Sequence, residues 1–159
     1  MSKIKYIVTV AFGIAVGYLL YIRIHLKSIQ NIAERRMRDY HDLRVMEKLM
    51  EYIQNNNDIS RFFKDNNYHT IGIYGVGIVG SALYRELDRR GIPVEFGVNI
   101  NNSATMIGCR LVKEIDNWPE VDVMVVADDF YFDKYYKKLA QKKLKNIISI
   151  VDILYYIGV

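Results

Sequence analysis

The segment of this chain best suited to bind a ligand is a glycine loop, Gly75-Val76-Gly77-Ile78-Val79-Gly80. It follows a strand-like apolar run and precedes a helical pattern, and in that context the G-x-G-x-x-G spacing is typical of loops that hold a phosphate. Gly75 would permit a tight turn, Gly77 would let a phosphate approach the backbone, and Gly80 would let helix and strand pack closely. The N-terminus of the helix would add free N–H groups and a partial positive charge. We therefore predict that the six loop residues bind a nucleotide, the alternative being a glycine-rich turn without a ligand.

Four polar residues are candidates for the rest of this site: Asn99, Asn101, Asp128 and its neighbour Asp129. Asn99 ends a strand pattern about twenty residues beyond the loop, where dinucleotide-binding domains carry an acidic residue that binds the ribose. The amides of Asn99 and Asn101 can bond a hydroxyl, but without the charge that makes a carboxylate contact strong, which argues against NAD. Asp128 and Asp129 follow another strand pattern, at the edge where open α/β sheets bind ligands. They would contact a ribose or sugar hydroxyl, or else cap the next helix.

The sequence offers no recognisable catalytic set. A short-chain dehydrogenase or epimerase would need a Tyr-x-x-x-Lys pair, and none of the 13 tyrosines has a lysine four residues later. The histidines, His25, His41 and His69, are far apart and lack cysteine or acidic partners at metal-ligand spacing, so no metal site is predicted. The single cysteine, Cys109, is expected to be a small buried hydrophobe, the alternative being a reactive thiol.

The charge distribution excludes nucleic acid as an expected partner. The net charge is +4, but residues 1–68 hold 11 Lys and Arg against 7 Asp and Glu, whereas residues 69–159 hold 11 of each. The C-terminal part is therefore neutral, and a surface that binds a phosphate backbone is basic. The basic surplus lies beside an apolar run, where a membrane would account for it.

The elements that would position the candidate residues alternate between strand and helix. Strand patterns cover residues 70–74, 93–99, 109–112, 121–127 and 146–151, and helical patterns cover 81–90, 131–143 and 152–157. The run at 121–127 is almost continuously apolar, as expected of a parallel strand covered on both faces. We predict an α/β fold in which residues 58–159 form a small Rossmann-like parallel sheet of four to five strands.

An N-terminal transmembrane anchor is predicted over residues 1–26. Residues 6–22 carry no charge and lie between Lys5 and Arg23. As a helix this run spans roughly 26 Å, close to the ~30 Å of a hydrocarbon core. A signal peptide and a buried core helix are the alternatives. Positive residues are more numerous after the run than before it, which predicts a single-pass protein in contact with membrane lipid whose C-terminal domain is cytoplasmic.

Residues 27–57 are predicted to form a helical stalk. They contain no Gly or Pro, and apolar residues recur at intervals of three or four, among them Met46, Met50 and Ile53. Within the apolar run, Gly13 and Gly17 form a GxxxG pattern that lets two helices approach closely. This spacing predicts a homodimer through that face, the alternatives being contact with lipid or with another protein.

Four segments together carry a resemblance to a known family: residues 73–80, Leu83-Tyr84-Arg85-Glu86-Leu87, Val94-Glu95-Phe96, and residues 148–154. Over roughly residues 58–156 the chain resembles the short bacterial Rossmann-like domains associated with capsule and surface-polysaccharide biosynthesis. It is also similar to the nucleotide-binding modules at the front of sugar acetyltransferases and sugar-nucleotide dehydratases. Members of the family usually carry Asp where this chain has Asn99. The resemblance implies a binder of nucleotides or nucleotide sugars that works with polysaccharide-biosynthesis proteins at a membrane.

The sequence as a whole therefore favours a membrane-anchored binding module with an accessory or regulatory function and NAD(P) or a nucleotide sugar as its ligand. The alternative is a small NAD(P)-dependent oxidoreductase or epimerase-like enzyme that acts on nucleotide sugars. A third class, the accessory domain of a nucleotide-gated channel or transporter, has the same layout but would usually show an acidic residue at the position of Asn99.

Overall fold

A computed structural model describes residues 2–100, 108–114, 117–142 and 144–158 of the chain. Its elements follow in the order α1 (Ser2–Gln54), α2 (Ser60–Asp65), β1 (Ile71–Tyr74), α3 (Ile78–Arg89), β2 (Val94–Asn99), β3 (Arg110–Lys113), β4 (Val123–Val126), a 3₁₀ turn (Asp129–Tyr131), α4 (Phe132–Ala140), β5 (Ile147–Ser149) and α5 (Ile150–Tyr156).

The chain divides into two compact units, residues 1–40 and residues 41–159. The first unit is helical and contains a stretch of α1 that is long and apolar enough to cross a membrane, with a mean hydropathy of 2.0 over 18 residues. The side chains of that stretch are not buried against other described residues. Added Cβ atoms at Gly13 and Gly17 would have nothing within 4 Å, so the described atoms leave both positions open to a neighbouring helix.

The second unit is built on a parallel sheet with the strand order β3-β2-β1-β4-β5. Each neighbouring pair of strands in this sheet runs parallel. All four residues of β1 and all four of β4 are buried, because helices and loops cover both faces of the central strands. The predicted α/β fold with four to five parallel strands is confirmed.

Two hydrophobic clusters cover the two faces of the sheet. On one face, α3 and α5 pack on β1 and β4 through residues that include Leu83, Leu87, Ile153 and Leu154. On the other face, α4 contributes Tyr135 and Leu139 to a cluster with the alternate residues of the same strands. The two faces therefore have separate cores, and the carboxyl ends of β1 and β4 lie between the helix layers.

The end of α1 belongs to the second unit, although the predicted stalk included it. Val45, Leu49 and Tyr52 are 5%, 0% and 1% exposed and join the core on the α3 face. Two residues of the predicted apolar stripe, Met46 and Ile53, are partly buried and pack against the same core. The apolar spacing therefore predicted an amphipathic helix and part of its buried face, but it missed the three most deeply buried residues, each of which lies one position before a member of the predicted stripe.

Candidate functional site

The carboxyl ends of β1 and β4 bring Gly75 and Asp128 together. The two strands are neighbours although β2 and β3 lie between them in the sequence, because the chain first builds the sheet from β1 to β3 and then adds β4 and β5 on the other side. A Cβ at Gly75 would lie 3.4 Å from both the Cβ and the backbone nitrogen of Asp128. Open α/β sheets bind their ligands at such a point, where the direction of the strand order reverses.

The turn after β1 requires glycine at its first position. Gly75 has a φ of +95°, a left-handed conformation that side chains disfavour. Its N–H donates to the carbonyl of Val98 at 3.1 Å, and the N–H of Val76 donates to the same oxygen at 3.3 Å. These two hydrogen bonds hold the turn against β2. Because the N–H groups of Gly75 and Val76 are used in them, a ligand of this loop would have to bind the N–H groups of the residues that follow.

Gly77 leaves the backbone uncovered by side chains at the start of α3. The helix begins at Ile78 rather than at Ser81 as predicted, and the N–H of Ser81 donates to the carbonyl of Gly77 at 2.9 Å. The N–H groups of the first turn have no partner within a helix, and the helix dipole gives them a partial positive charge. A Cβ at Gly77 would meet no atom within 4 Å. The first turn of α3 thus offers donors and space beside them.

The space around Gly80 is filled by neighbouring atoms, whereas the space around Gly77 is open. A Cβ at Gly80 would lie 2.2 Å from the carbonyl oxygen of Gly75 and 3.3 Å from the Cβ of Ala127. Real side chains do not approach a backbone oxygen so closely. Gly80 therefore sets the distance between α3 and the ends of β1 and β4.

The other three loop residues divide between the core and the surface. Val76 and Val79 are 2% and 4% exposed and pack in the core on the α3 face, so they present only backbone to a ligand. Ile78, the first residue of α3, is 70% exposed. Its side chain forms an apolar surface next to the open backbone of Gly77.

Asn99 ends β2 and pairs in register with Lys113, which ends β3. Val98 and Val112 belong to the cluster on the α4 face, and successive strand residues alternate between faces, so Asn99 and Lys113 lie on the α3 face. An amide and a lysine thus occupy neighbouring strand ends on the side of the sheet where α3 begins. Asn101 lies outside the described residues.

Asp128 is buried at the end of β4, with 6% of its surface exposed. The hydroxyl of Tyr135, on α4, donates to its Oδ2 at 3.3 Å. The side chain does not cap the 3₁₀ turn that follows. The carboxylate is held from the α4 side, next to Gly75.

A tyrosine, a glutamate and a lysine are linked on the α4 face. The hydroxyl of Tyr74 donates to Oε1 of Glu114, and Nζ of Lys138 lies 2.6 Å from the same oxygen. Burial and the bond to Glu114 raise the pKa of Tyr74. Burial also raises the pKa of Glu114, but the bonds from Lys138 and Tyr74 outweigh it and lower that pKa overall. Tyr74 therefore stays protonated and serves as a structural donor, not as a base.

Sequence reasoning missed a second group, formed by His41, Asp129 and Ser149. Nε2 of His41 lies 3.3 Å from Oδ2 of Asp129, and Oγ of Ser149 donates to Oδ1 of the same carboxylate. These residues come from α1, from the turn after β4 and from the end of β5. The sequence indicated only Asp129, as the neighbour of Asp128 at the end of β4, and the separation of the three residues along the chain leaves no motif that joins them.

The described residues contain no cluster of three or more His, Cys, Asp or Glu able to hold a metal ion. Partial burial raises the pKa of the Cys109 thiol, which favours its protonated form. A surface cleft of about 490 Å³ lies at the amino ends of β4 and β5, lined by Trp118 and Lys142 among others. The ammonium of Lys142 covers the Trp118 ring at 3.9 Å from its centroid. This cleft is at the opposite edge of the sheet from the glycine loop.

Comparison of the chain with protein-family models, with curated proteins and with solved structures gives no match.

Proposed function

We propose that the protein binds a nucleotide or a nucleotide sugar at the carboxyl edge of its sheet, with a phosphate group at the first turn of α3. The observation that carries this proposal is the contrast between three glycines in one loop. Gly75 has a positive φ, Gly77 leaves open space, and Gly80 is enclosed against Gly75. The open position at Gly77 supports the proposal because it leaves room for a phosphate beside the N–H groups of the first turn of α3.

The sheet supports the same proposal. An all-parallel order β3-β2-β1-β4-β5 with the glycine loop after the central strand is the arrangement of a Rossmann-like domain. In that arrangement the ligand spans the crevice between the ends of β1 and β4, where Gly75 and Asp128 are adjacent. We therefore interpret the second unit as a small Rossmann-like domain.

The polar residues at this edge favour particular parts of the ligand. Asn99 offers neutral donors and acceptors to a ribose, and Lys113 beside it adds a positive charge on the same face. We propose that Asp128, which is 6% exposed at the end of β4, accepts a hydrogen bond from a ribose or sugar hydroxyl. The proposed ligands are accordingly a nucleotide sugar or NAD(P), with NAD itself bound less tightly than in domains that carry Asp at the position of Asn99.

We propose binding without catalysis as the activity of this domain. Tyr74, the tyrosine that ends β1, donates to Glu114 and is held protonated. The Ser149, Asp129 and His41 group is also unsuited to nucleophilic catalysis, because its carboxylate lies between the hydroxyl and the imidazole. In hydrolases the imidazole lies between the other two groups and removes the proton from the hydroxyl.

The cellular setting follows from α1 and from the resemblance. We propose that α1 anchors the protein as a single span, with the nucleotide-binding domain in the cytoplasm and Gly13 and Gly17 facing a second copy. Its apolar stretch, with a mean hydropathy of 2.0, supports a span, and the flanking basic residues support the orientation. On the resemblance alone, we propose that the protein is an accessory component of bacterial surface-polysaccharide biosynthesis, with proteins of that pathway as partners.

Native mass spectrometry of the full chain, released from membranes in detergent micelles, tests the proposed function. We expect an added mass that dissociates as a nucleotide or nucleotide sugar, or one that appears when UDP-glucose or NADP is supplied. Protein that stays free of ligand with UDP-glucose, NAD and NADP would overturn the proposal.

A further inference from the structure

The turn after β4 is held at two neighbouring residues by different elements. Asp128 accepts the hydroxyl of Tyr135 from α4, whereas Asp129 contacts His41 from α1 and Ser149 from β5. The carboxylate of Asp129 uses both of its oxygens in these contacts. The turn is therefore restrained from both faces of the sheet at the point where it reaches Gly75.

We propose that His41 is a positioning residue for the ligand site: by holding Asp129 it fixes the turn after β4 and, with it, the carboxylate of Asp128. The inference rests on the proposed function, because it assigns His41 a part in that same site. A carboxylate that is already held in place loses less conformational freedom when a ligand binds. The imidazole thus strengthens binding without touching the ligand.

The partners of Asp129 are themselves fixed. Oγ of Ser149 accepts the N–H of Val151 at 3.0 Å, and the N–H of Ser149 donates to Asp152, so the serine is locked as the N-cap of α5. Phe130 packs edge-on against the imidazole of His41, with the ring centroids 5.9 Å apart. Asp129 therefore bridges two rigid helix segments, and His41 is its link to α1.

A direct catalytic role for His41 does not fit its surroundings. Its Nε2 faces Asp129, and its Nδ1 is buried with no hydrogen-bond partner among the described residues. A general base needs its second nitrogen within reach of a substrate proton. With one nitrogen facing the carboxylate and the other enclosed, the imidazole supports the turn and does not transfer protons.

The test uses the full chain in lipid nanodiscs, titrated calorimetrically with UDP-glucose and with NADP. His41→Ala should weaken binding about fivefold, and His41→Gln should restore it to within about twofold, because its amide can donate in the place of Nε2. His69→Ala is the matched control, since this histidine precedes β1 at the opposite edge of the sheet. It should bind both probes as the wild type does.

A double-mutant cycle separates positioning from a general effect on the fold. If His41 acts through Asp128, then His41→Ala should cause no further loss in protein that already carries Asp128→Asn. Equal binding by the wild type and His41→Ala, or the same fivefold loss in both backgrounds, would overturn the inference. Should His41→Ala fail to fold, weak binding by a folded His41→Gln variant would also count against it. If the wild type binds neither probe, the proposed function fails first, and this inference fails with it.

Discussion

The carbonyl oxygen of Gly75 lies 2.2 Å from the position that a Cβ on Gly80 would occupy. The turn after β1 therefore lies directly against the first turn of α3, and no side chain fits between them. Gly77, three residues earlier, has open space at the same Cβ position. Two glycines in one loop are thus glycine for different reasons, and substitutions at them should have different effects.

Gly80→Ala should destabilise the protein, and Gly80→Val should destabilise it further. Either side chain must push α3 away from Gly75, and overpacking of this kind lowers the free energy of unfolding by roughly 1–3 kcal/mol. Gly77→Ala is the matched control and should change stability much less. Thermal unfolding of the full chain in detergent, followed through the fluorescence of Trp118, measures the difference. Equal melting temperatures for the two alanine variants would show that the contact at Gly80 does not constrain the fold.

Asn99→Asp should tighten the binding of NAD by about tenfold, because a charge-assisted bond to a ribose hydroxyl is stronger than a neutral one by about 1 kcal/mol or more. Asn55→Asp, which adds a carboxylate in the exposed turn after α1, serves as the control and should leave NAD affinity unchanged. Calorimetric titration compares the three proteins. An unchanged affinity in Asn99→Asp would mean that the end of β2 does not contact the ribose. Neither the wild type nor Asn99→Asp is expected to transfer hydride in an NADH absorbance assay with nucleotide sugars.

The full chain should remain in the membrane pellet after extraction with alkaline carbonate, whereas a chain that begins at His41 should be soluble and folded. Release of the full chain by carbonate would contradict the membrane anchor.

A chain that begins at Asp58 should be less stable than one beginning at His41, because it lacks the buried Val45, Leu49 and Tyr52. The loss should exceed about 3 kcal/mol, since burial of one such side chain contributes roughly 1.5–3 kcal/mol. Equal unfolding midpoints of the two shorter chains in urea would contradict the assignment of these residues to the core.

Glu86 should make the stability of the protein depend on pH. Its carboxylate is 3% exposed and accepts bonds from Arg89 and Arg90 at 2.8–2.9 Å. Burial raises the pKa of Glu86, but these bonds outweigh it, so the pKa in the folded protein lies below the ordinary value. The stabilisation is therefore complete above the unfolded pKa of about 4.3 and is lost as the pH falls through the lower, folded value.

Glu86→Gln should accordingly lower the free energy of unfolding by roughly 1–2 kcal/mol at neutral pH, a figure that allows for the partial exposure of the arginines. The difference from the wild type should shrink once the pH falls below about 4. Urea unfolding at several pH values measures both effects. A difference that stays constant down to acid pH would show that the charge of Glu86 is not what stabilises this region.

The sheet and the glycine loop could be predicted because their signals are local. The apolar run that contains β4 and the loop between β1 and α3 each require only a short stretch of sequence to recognise. The buried face of α1 could be predicted only in part, because the fully buried Leu49 and the exposed Met50 are neighbours in a segment rich in apolar side chains, and the spacing pointed to Met50.

The group around Asp129 could not be predicted at all. His41 is the first residue of the second unit and Ser149 lies near its last, so the two are far apart in the sequence. Their proximity to Asp129 depends on how the end of α1 and α5 pack on the sheet. Sequence spacing carries no information about such a contact. Tyr135 and Asp128 are closer in the sequence, but their bond also depends on where α4 lies against the end of β4.

Replacement of Gly77 by valine tests the central claim most directly. A Cβ there would meet no protein atom within 4 Å, so we expect the valine side chain to occupy the space that we assign to the phosphate. Calorimetric titration of the wild type and of Gly77→Val with UDP-glucose and NADP, together with the melting temperature of each protein, is the measurement. We expect the wild type to bind at least one probe and Gly77→Val to bind neither, with the melting temperature unchanged. Equal binding by the two proteins, or no binding by the wild type, would contradict the account of this loop as a nucleotide-binding site.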